Sequence, residues 1–351
     1  IYMNILVWPQ YSMRSYITNL WLLEKDANFK LMKYFTKIVK AAIPNANIYL
    51  VIPHRKTINY IPDFGLDSCT GSQRYPYHIA VKHAYNAGSQ RYNFDYDEMA
   101  TIVNKRKIDT ILCPIEKASY FRQISDDIRI VSFIHYLDIY TNKCSSIFLR
   151  DLDGANKSDL VYFNTEKNRE SFSNYLGLNN CEHHKVLDVF YSEAELSKYK
   201  TNNKFPRQTI LYLTRLSDLA RTKSDSFLRI ADKLIQAYKD KYSIIVTDPN
   251  YSSTIKINSQ ITKIDLCGGP MYKFMAQSHI IPVMYDLRKW ASVGIIEAAY
   301  LGAKPIFYNG FSEFYSDLLT GKANVELNVE KKSLEYNKER IIKELKEVKI
   351  C

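Results

Sequence analysis

The chain has 351 residues, a formal net charge of +11, 46% apolar residues and 24% charged residues. These values exclude a disordered chain, a collagen-like chain and a small disulfide scaffold, and at about 150 residues per domain they indicate two domains. No apolar run approaches the ~20 residues that are needed to cross a bilayer, and the positive charge favours a polyanionic partner over a charge spread evenly for solubility.

In the first half, short apolar runs alternate with helix-length segments. Amphipathic spacing predicts a helix over 28–42, and a polar helix is predicted over 167–176. The predicted strands are residues 4–8, 47–53, 108–114, 128–135, 160–165 and 185–189. Strands separated by helices indicate right-handed βαβ units and a parallel sheet.

The polar, lysine-rich stretch 191–207 is interpreted as an inter-domain linker, and a second series of elements follows it. The predicted strands are residues 208–215, 242–248, 263–267, 279–286 and 304–308, and the predicted helices are 224–239, 271–278 and 293–301. Alternating Lys and Glu predict an amphipathic helix over 331–351. The fold class is therefore α/β, with Rossmann-like domains over 1–190 and 208–330. Their parallel sheets are expected to face a central cleft, because such folds bind ligands beyond the carboxyl ends of the strands.

Basic residues follow the first strand of the second domain. The strand ends near Arg215, and a polar loop then carries Arg221 and Lys223 into a helix. Because a helix N-terminus attracts anions, these residues predict a diphosphate site, with a solvated basic loop as the alternative. No Gly-rich loop is present, so neither a P-loop nor a GxGxxG site is supported.

A second ligand-binding pattern lies within 279–309. A strand leads through a polar loop to a helix that starts near Val293 and Gly294, whose backbone N–H groups could bind phosphate oxygens. Glu297 is expected in the first turn of this helix, where its carboxylate could accept both hydroxyls of a ribose. The alternative is a glutamate that is favoured there by the helix dipole.

The order of these motifs resembles a known family. Residues 294–306 are similar to the donor-binding signature of GT-B nucleotide-sugar glycosyltransferases, in which a Gly, a Glu-Ala helix and a turn with Gly and Pro follow one another. Arg215 and Lys223 resemble the Arg and Lys that bind the donor diphosphate. Gly268 and Gly269 resemble the glycine beside the nucleotide base. The resemblance covers most of 208–310 and implies a UDP-sugar as co-substrate, with no tightly bound cofactor and no required metal.

One position departs from that pattern. Many retaining members of the family carry a second Glu eight positions before the ribose Glu, and Lys289 stands there in this chain. The departure leaves open which sugar is recognised and whether its configuration is retained or inverted.

The first domain is then expected to bind the acceptor. The strand over 128–135 leads into His135 and Asp138, and the resemblance to the DNA glucosyltransferases of T-even phages places an Asp or a His-Asp pair at this strand end. It implies that Asp138 is a general base on an acceptor hydroxyl and that His135 contacts the donor sugar or phosphate. The alternative is that Asp138 caps the following helix. Ser12 and Arg14, after the first strand, are candidate phosphate or acceptor contacts.

An insertion over 54–92 interleaves basic and aromatic residues, which suits phosphate contact combined with base stacking. A target base in duplex DNA must be flipped out, and aromatic rings could stabilise it. The alternative is a Tyr-rich surface loop. The candidate DNA-binding residues here are Arg74, Tyr75, Tyr77, Lys82 and Arg91.

Cysteine and histidine usage indicates no metal centre. Six cysteines are scattered along the chain without CxxC spacing, which is typical of a reducing compartment. The adjacent His183 and His184 lie on a polar turn and are expected to be solvated. The first residues lack a basic region and a cleavage site, so we expect no signal peptide and a cytoplasmic protein.

Three hypotheses remain from the sequence. The first is a phage-type DNA glycosyltransferase that moves glucose or a pentose such as arabinose from a UDP-sugar to a 5-hydroxymethylpyrimidine, hydroxymethylcytosine for example, in double-stranded DNA, as a monomer without membrane contact. The second is a bacterial glycosyltransferase that builds a cell-surface glycan at the inner membrane. The third is a non-catalytic nucleic-acid-binding protein on a GT-B scaffold.

Overall fold

A computed structural model describes residues 3–9, 27–53, 77–81, 83–86, 91–134, 146–176, 181–214, 216, 223–238, 240–248, 255–284 and 292–349. The chain divides into two compact units. Unit 1 comprises Ile1–Val189 together with Leu334–Cys351, and unit 2 comprises Phe190–Ser333. The predicted α/β class, with one parallel sheet in each half of the chain, is confirmed.

Unit 1 is built on a parallel sheet that has seven strands among the described residues, in the order β3-β2-β1-β6-β7-β8-β9. A separate antiparallel hairpin pairs β4 with β5. The strands are β1 (Asn4–Val7), β2 (Asn47–Pro53), β3 (Tyr77–Val81), β4 (His83–Asn86), β5 (Arg91–Phe94), β6 (Thr110–Pro114), β7 (Arg129–Ile134), β8 (Leu160–Phe163) and β9 (His184–Val186). β6 and β8 are buried along their whole length, as expected for central strands of a sheet that helices cover on both faces.

The helices of unit 1 are α1 (Ala27–Ala42), α2 (Tyr96–Lys105), α3 (Ala118–Ile124), α4 (Ser146–Lys157) and α5 (Glu166–Leu176). Aromatic rings fill the space between α1 and the sheet. Phe35 of α1 lies 4.6 Å from Phe133 and 5.0 Å from Tyr162, measured between ring centroids. The first contact is edge-on and the second is tilted, and such aromatic pairs add to the apolar burial that holds the helix on the sheet.

The C-terminal helix belongs to unit 1. It runs over Leu334–Glu347, within the predicted 331–351, and buries Ile341 and Leu345. Arg340 donates to the backbone carbonyls of Val186 and Leu187 at 2.8 and 2.9 Å, which joins the helix to the end of β9. The chain therefore returns to its first unit after completing the second.

Unit 2 has a parallel sheet with five strands among its described residues, in the order β12-β11-β10-β13-β14. The strands are β10 (Gln208–Tyr212), β11 (Tyr242–Thr247), β12 (Ile261–Ile264), β13 (Ile280–Val283) and β14 (Lys304–Phe307). The helices are α6 (Glu193–Leu196), α7 (Ser224–Tyr238), α8 (Gly268–Gln277), α9 (Val293–Tyr300) and α10 (Phe311–Thr320). We refer to C-terminal helix Leu334–Glu347 as α11.

Two segments differ from their predictions. The stretch 191–207, interpreted as a linker, lies within unit 2 and contains α6, with Tyr191 and Leu196 buried. The insertion predicted over 54–92 ends in regular structure, because Tyr77–Val81 pairs with β2 as the outer strand of the sheet. This strand is only five residues long and contains a histidine, so its apolar signal was too short to reveal it. Across the described helices, none combines the length and apolarity of a membrane span.

Candidate donor site in unit 2

The strand order of unit 2 reverses between β10 and β13, which lie next to each other while their connections leave toward opposite sides. In open α/β sheets the ligand binds outside the carboxyl ends of the strands at this switch point. The segment that follows β10 leads to Lys223, and the segment that follows β13 leads to Val293. The topology therefore brings the two sequence-predicted donor motifs to one place.

Lys223 stands at the start of α7 at this edge. Its side chain is exposed, and its Nζ lies 4.9 Å from the centre of the Tyr308 ring, which follows β14. Its φ of 49° is in the left-handed region, which disfavours a side chain by about 1–2 kcal/mol. Strain at a cationic residue beside a helix N-terminus is typical of a ligand-binding position.

Packing fixes the backbone around Lys223. Its carbonyl accepts a hydrogen bond from the Phe227 N–H at 3.1 Å. Ser224 is fully buried, and its hydroxyl lies 3.2 Å from the Tyr212 hydroxyl. Tyr212 stacks on Phe227 with ring centroids 4.3 Å apart. The ammonium group is thus presented from a rigid helix start.

A hydroxyl group just after β10 is left without a partner among the described residues. The side-chain oxygen of Thr214 is buried and makes no hydrogen bond to any of them. An unsatisfied buried hydroxyl disfavours the folded state by about 1–3 kcal/mol, so a ligand that bonds to it would recover that energy. Arg215 and Arg221, the other predicted diphosphate contacts, lie outside the described residues.

The N-terminus of α9 is the second element of the site. Its N-cap residue, Ser292, makes no side-chain hydrogen bond to the first turn, and the first N–H groups of a helix have no partner within the helix. Val293 is buried, while Gly294 lies against α8, where an added Cβ would be 3.9 Å from the Met275 methyl group. The first turn can therefore donate to an anion. Lys289 lies outside the described residues.

Glu297 is placed differently from its prediction. It lies in the second turn of α9 and not in the first, and it is only 1% exposed. Tyr272 of α8 donates its hydroxyl to the Glu297 Oε1 at 3.1 Å. Because the helix dipole acts mainly over the first turn, it does not account for a buried acid here. A buried carboxylate held by a tyrosine is typical of a positioned hydrogen-bond acceptor.

The two predicted glycines begin α8. Gly268 has a φ of 56°, a conformation that glycine adopts without strain. A Cβ on Gly269 would lie 2.9 Å from the Tyr199 hydroxyl, so a side chain there would displace that ring. Tyr199 also packs on Tyr272, with centroids 5.3 Å apart. The glycines therefore allow the close packing that positions the partner of Glu297.

Most of the residues that were predicted to bind the acceptor lie outside the described part of the chain. β7 ends at Ile134, the residue before His135. Tyr77 lies in β3 and Arg91 in β5, and only their backbones are described. The predicted residues outside the described ones are His135, Asp138, Ser12, Arg14, Arg74, Tyr75 and Lys82.

Sequence reasoning missed a cationic position in unit 1. Lys117 follows β6 and donates to the Tyr96 hydroxyl at 3.1 Å, with its Nζ 5.5 Å from the centre of the Trp8 ring. Trp8 follows β1, so the pair marks the switch point of that sheet. The available signals were a Trp at the end of the predicted strand 4–8 and a Lys three residues after the predicted strand 108–114. Thr214 likewise lies at the end of the predicted strand 208–215.

The expectation for the adjacent histidines is wrong for one of them. His184 is 4% exposed and packs edge-on against Phe163 and Phe172. Burial, reinforced by the charges of His183 and Arg169, lowers the pKa of His184 to about 4. The residue begins β9, and pairing with β8 carries its ring beneath those aromatic side chains.

No protein-family model and no curated protein sequence matches the chain. Several solved structures are similar to it. A UDP-forming α,α-trehalose-phosphate synthase from Burkholderia xenovorans has a TM-score of 0.62 at 10% identity, covering 99% of each chain. HepE from Anabaena, solved with UDP-glucose, has a TM-score of 0.59 at 12% identity, covering 99% of this chain and 98% of its own.

A third structure was solved with nucleic acid. An alpha-glucosyltransferase in complex with UDP and a 13-mer DNA containing an HMU base has a TM-score of 0.52 at 12% identity, covering 99% of this chain and 91% of its own. At these identities the likeness establishes the fold, which is that of the GT-B glycosyltransferases, as the resemblance implied.

Proposed function

We propose that this chain is a glycosyltransferase that transfers a sugar from a UDP-sugar to a hydroxymethylated pyrimidine in double-stranded DNA. The observation that carries the proposal is the buried Glu297, which Tyr272 holds beside the switch point of unit 2. Its position in α9 is the one that the family resemblance assigns to the ribose-binding carboxylate.

The donor would be bound by unit 2. Glu297 accepts the ribose hydroxyls, while Lys223 and the first turn of α9 bind the diphosphate. Each charge-assisted hydrogen bond of this kind contributes roughly 1.5–3 kcal/mol. Arg215 and Arg221 are proposed to add two further cationic contacts, and Gly268 and Gly269 to leave room for the base.

The acceptor would be activated by unit 1. Asp138 removes the proton from the hydroxymethyl oxygen as that oxygen attacks the anomeric carbon of the sugar. The bond from this carbon to the UDP oxygen breaks, and UDP leaves with its electron pair. His135 is proposed to contact the donor sugar or phosphate. Duplex DNA as the acceptor is supported by the net charge of +11 and by the structural neighbour that was solved with DNA.

Mass spectrometry tests the proposal directly. The protein is incubated with a duplex that carries hydroxymethylcytosine or hydroxymethyluracil and with a panel of UDP-sugars, and the DNA is digested to nucleosides. A mass increase of one hexose or pentose on the modified base is expected, with none on an unmodified duplex of the same sequence. UDP binding without any sugar on either duplex would contradict the DNA acceptor.

A second candidate is a UDP-sugar glycosyltransferase with a carbohydrate acceptor in a cell-surface glycan. It is favoured by the TM-scores of HepE and the trehalose-phosphate synthase, 0.59 and 0.62, which exceed that of the DNA-bound enzyme, 0.52. UDP release from a UDP-sugar in the presence of glycan acceptors and in the absence of DNA would support this candidate.

A further inference from the structure

Three potential metal ligands meet at the start of β9. Cys181, His183 and His184 each place one ligand atom within 4.8 Å of the other two. Cys181 is a free thiol, and both it and His183 are partly exposed. The group lies where the strand begins, at the edge of the sheet opposite to the one at which α/β folds bind their substrates.

A tight turn creates this arrangement. The His184 N–H donates to the Cys181 carbonyl at 2.9 Å, so residues 181–184 form a β-turn whose first and last residues lie close together. The Val161 N–H donates to the His183 carbonyl, also at 2.9 Å, and Val161 pairs with His184 in the sheet. The turn is therefore anchored to β8, and its side chains do not depend on a flexible loop.

The His184 ring is the second observation that indicates a ligand. Its Nδ1 is buried and makes no hydrogen bond to any of the described residues, and the ring is enclosed by Phe163 and Phe172. A buried polar atom without a partner disfavours the folded state. The imidazole of His183 lies beside it, with ring centroids 4.4 Å apart. A metal ion bound to both rings would give the buried nitrogen a partner.

We propose that Cys181, His183 and His184 bind a zinc ion. Thiolate and imidazole ligands suit zinc, whereas calcium and magnesium require oxygen ligands. On binding, the Cys181 thiol loses its proton to solvent and the sulfur forms the bond to the metal. Water fills the fourth tetrahedral position. At this edge the ion joins the turn before β9 to the strand itself and has no part in sugar transfer.

The 351-residue chain, freed of metal by a chelator, is titrated with Zn²⁺ alone in a calorimeter and with Co²⁺ in a spectrophotometer. One equivalent of Zn²⁺ is expected to bind, and Co²⁺ is expected to give a thiolate-to-cobalt charge-transfer band. Cys181→Ser abolishes that band and weakens Zn²⁺ binding by more than the ~10–100-fold that loss of an outer-shell partner causes. Cys267→Ser, at another partly exposed cysteine, is the control and leaves both signals unchanged.

The wild-type protein alone can overturn the proposal, so the test does not depend on whether the variants fold. It does so if it binds no stoichiometric Zn²⁺ or if its Co²⁺ complex lacks a thiolate band. Equal Zn²⁺ affinity in folded Cys181→Ser also overturns it. Selective loss in Cys181→Ser, together with a rise in the melting temperature of the wild-type protein on Zn²⁺ addition, supports it.

Discussion

The two edges of each sheet differ in how their polar groups are satisfied. At the edge where strands begin, here called the amino edge, side chains bond to the backbone of neighbouring elements. In unit 1, Asp159 accepts from Arg122 and from the Ile130 N–H at 2.9 and 2.7 Å. In unit 2, Lys204 donates to three carbonyls, those of Ala276, Ser278 and Gly302, at 2.7–3.0 Å.

At the edge where strands end, here called the carboxyl edge, unit 2 keeps polar groups that are exposed or unsatisfied. Lys223 is exposed on a left-handed backbone, and the Thr214 hydroxyl has no partner within the described part of the chain. Glu297 is buried one turn into a helix that begins at this edge. The polar groups named at the amino edge bond within the fold, apart from the His184 imidazole at the start of β9. The carboxyl edge of unit 2 holds polar groups that we propose to be satisfied by a ligand.

The largest effect is expected from Asp138→Asn, after the end of β7. The amide of asparagine cannot remove the proton from the hydroxymethyl group of the DNA, and a general base contributes ~10²–10⁴-fold to the rate. Transfer measured by mass spectrometry should fall by that factor, while UDP affinity in a calorimeter stays at the wild-type value. A variant that transfers sugar at the wild-type rate would show that Asp138 is a helix cap.

Next comes Glu297→Ala, which should weaken UDP binding about tenfold or more, because it removes charge-assisted hydrogen bonds to the ribose. Glu297→Gln, which keeps the shape of the buried side chain, should also weaken binding. Calorimetry with UDP and with UMP checks both variants. Wild-type affinity in the two variants would remove Glu297 from the site.

At the amino edge, Asp159→Ala should lower the free energy of unfolding by roughly 1.5–3 kcal/mol, because it leaves Arg122 and the Ile130 N–H without their shared acceptor. Urea denaturation measures the loss. UDP affinity of the folded variant should not change. If UDP binding by folded Asp159→Ala weakens as much as it does in Glu297→Ala, the proposed difference between the two edges is wrong.

Lys223→Gly should weaken UDP binding about fivefold to tenfold, since an exposed cation contributes less than a buried one. Glycine adopts the positive φ without strain, so the free energy of unfolding should stay within ~1 kcal/mol of wild type. Lys107→Gly is the matched control, because Lys107 is also exposed, has a φ of 50° and lies at the amino edge of unit 1. An equal loss of UDP affinity in the control would refute the assignment.

The smallest effect is expected from Tyr272→Phe, which removes the hydroxyl that holds Glu297. The hydroxyl acts on UDP only by positioning Glu297, so we expect the lower part of the contribution of a hydrogen bond, about 0.5–1 kcal/mol. UDP affinity should therefore fall about twofold to fivefold. Tyr242→Phe, which loses a hydroxyl bonded to the Leu319 carbonyl at 3.3 Å, is the control and should keep wild-type affinity. Wild-type UDP affinity in Tyr272→Phe would show that the Tyr272 ring only packs and that its hydroxyl does not position Glu297.

The sequence predicted the strands better than the site, for physical reasons. Buried parallel strands such as β6 and β8 are continuous apolar runs, which can be recognised directly in the sequence. Glu297 was predicted on this helix, but in its first turn instead of its second. Its burial was not predicted, because the hydrogen bond to Tyr272 joins residues 25 positions apart. His184 was expected in solvent, since a polar turn does not reveal that pairing with β8 buries the ring. α10 was missed, although it buries Phe314 and Leu318.

Hydrogen–deuterium exchange with and without UDP tests the difference between the edges most directly. Slower exchange on UDP addition is expected in peptides that cover 213–224 and 285–297, which lead from β10 and β13 into their helices. Peptides over 201–209, at the amino edge of the same sheet, should exchange at the same rate in both samples. Protection at 201–209 without protection at 213–224 and 285–297 would contradict a donor site at the carboxyl edge of unit 2.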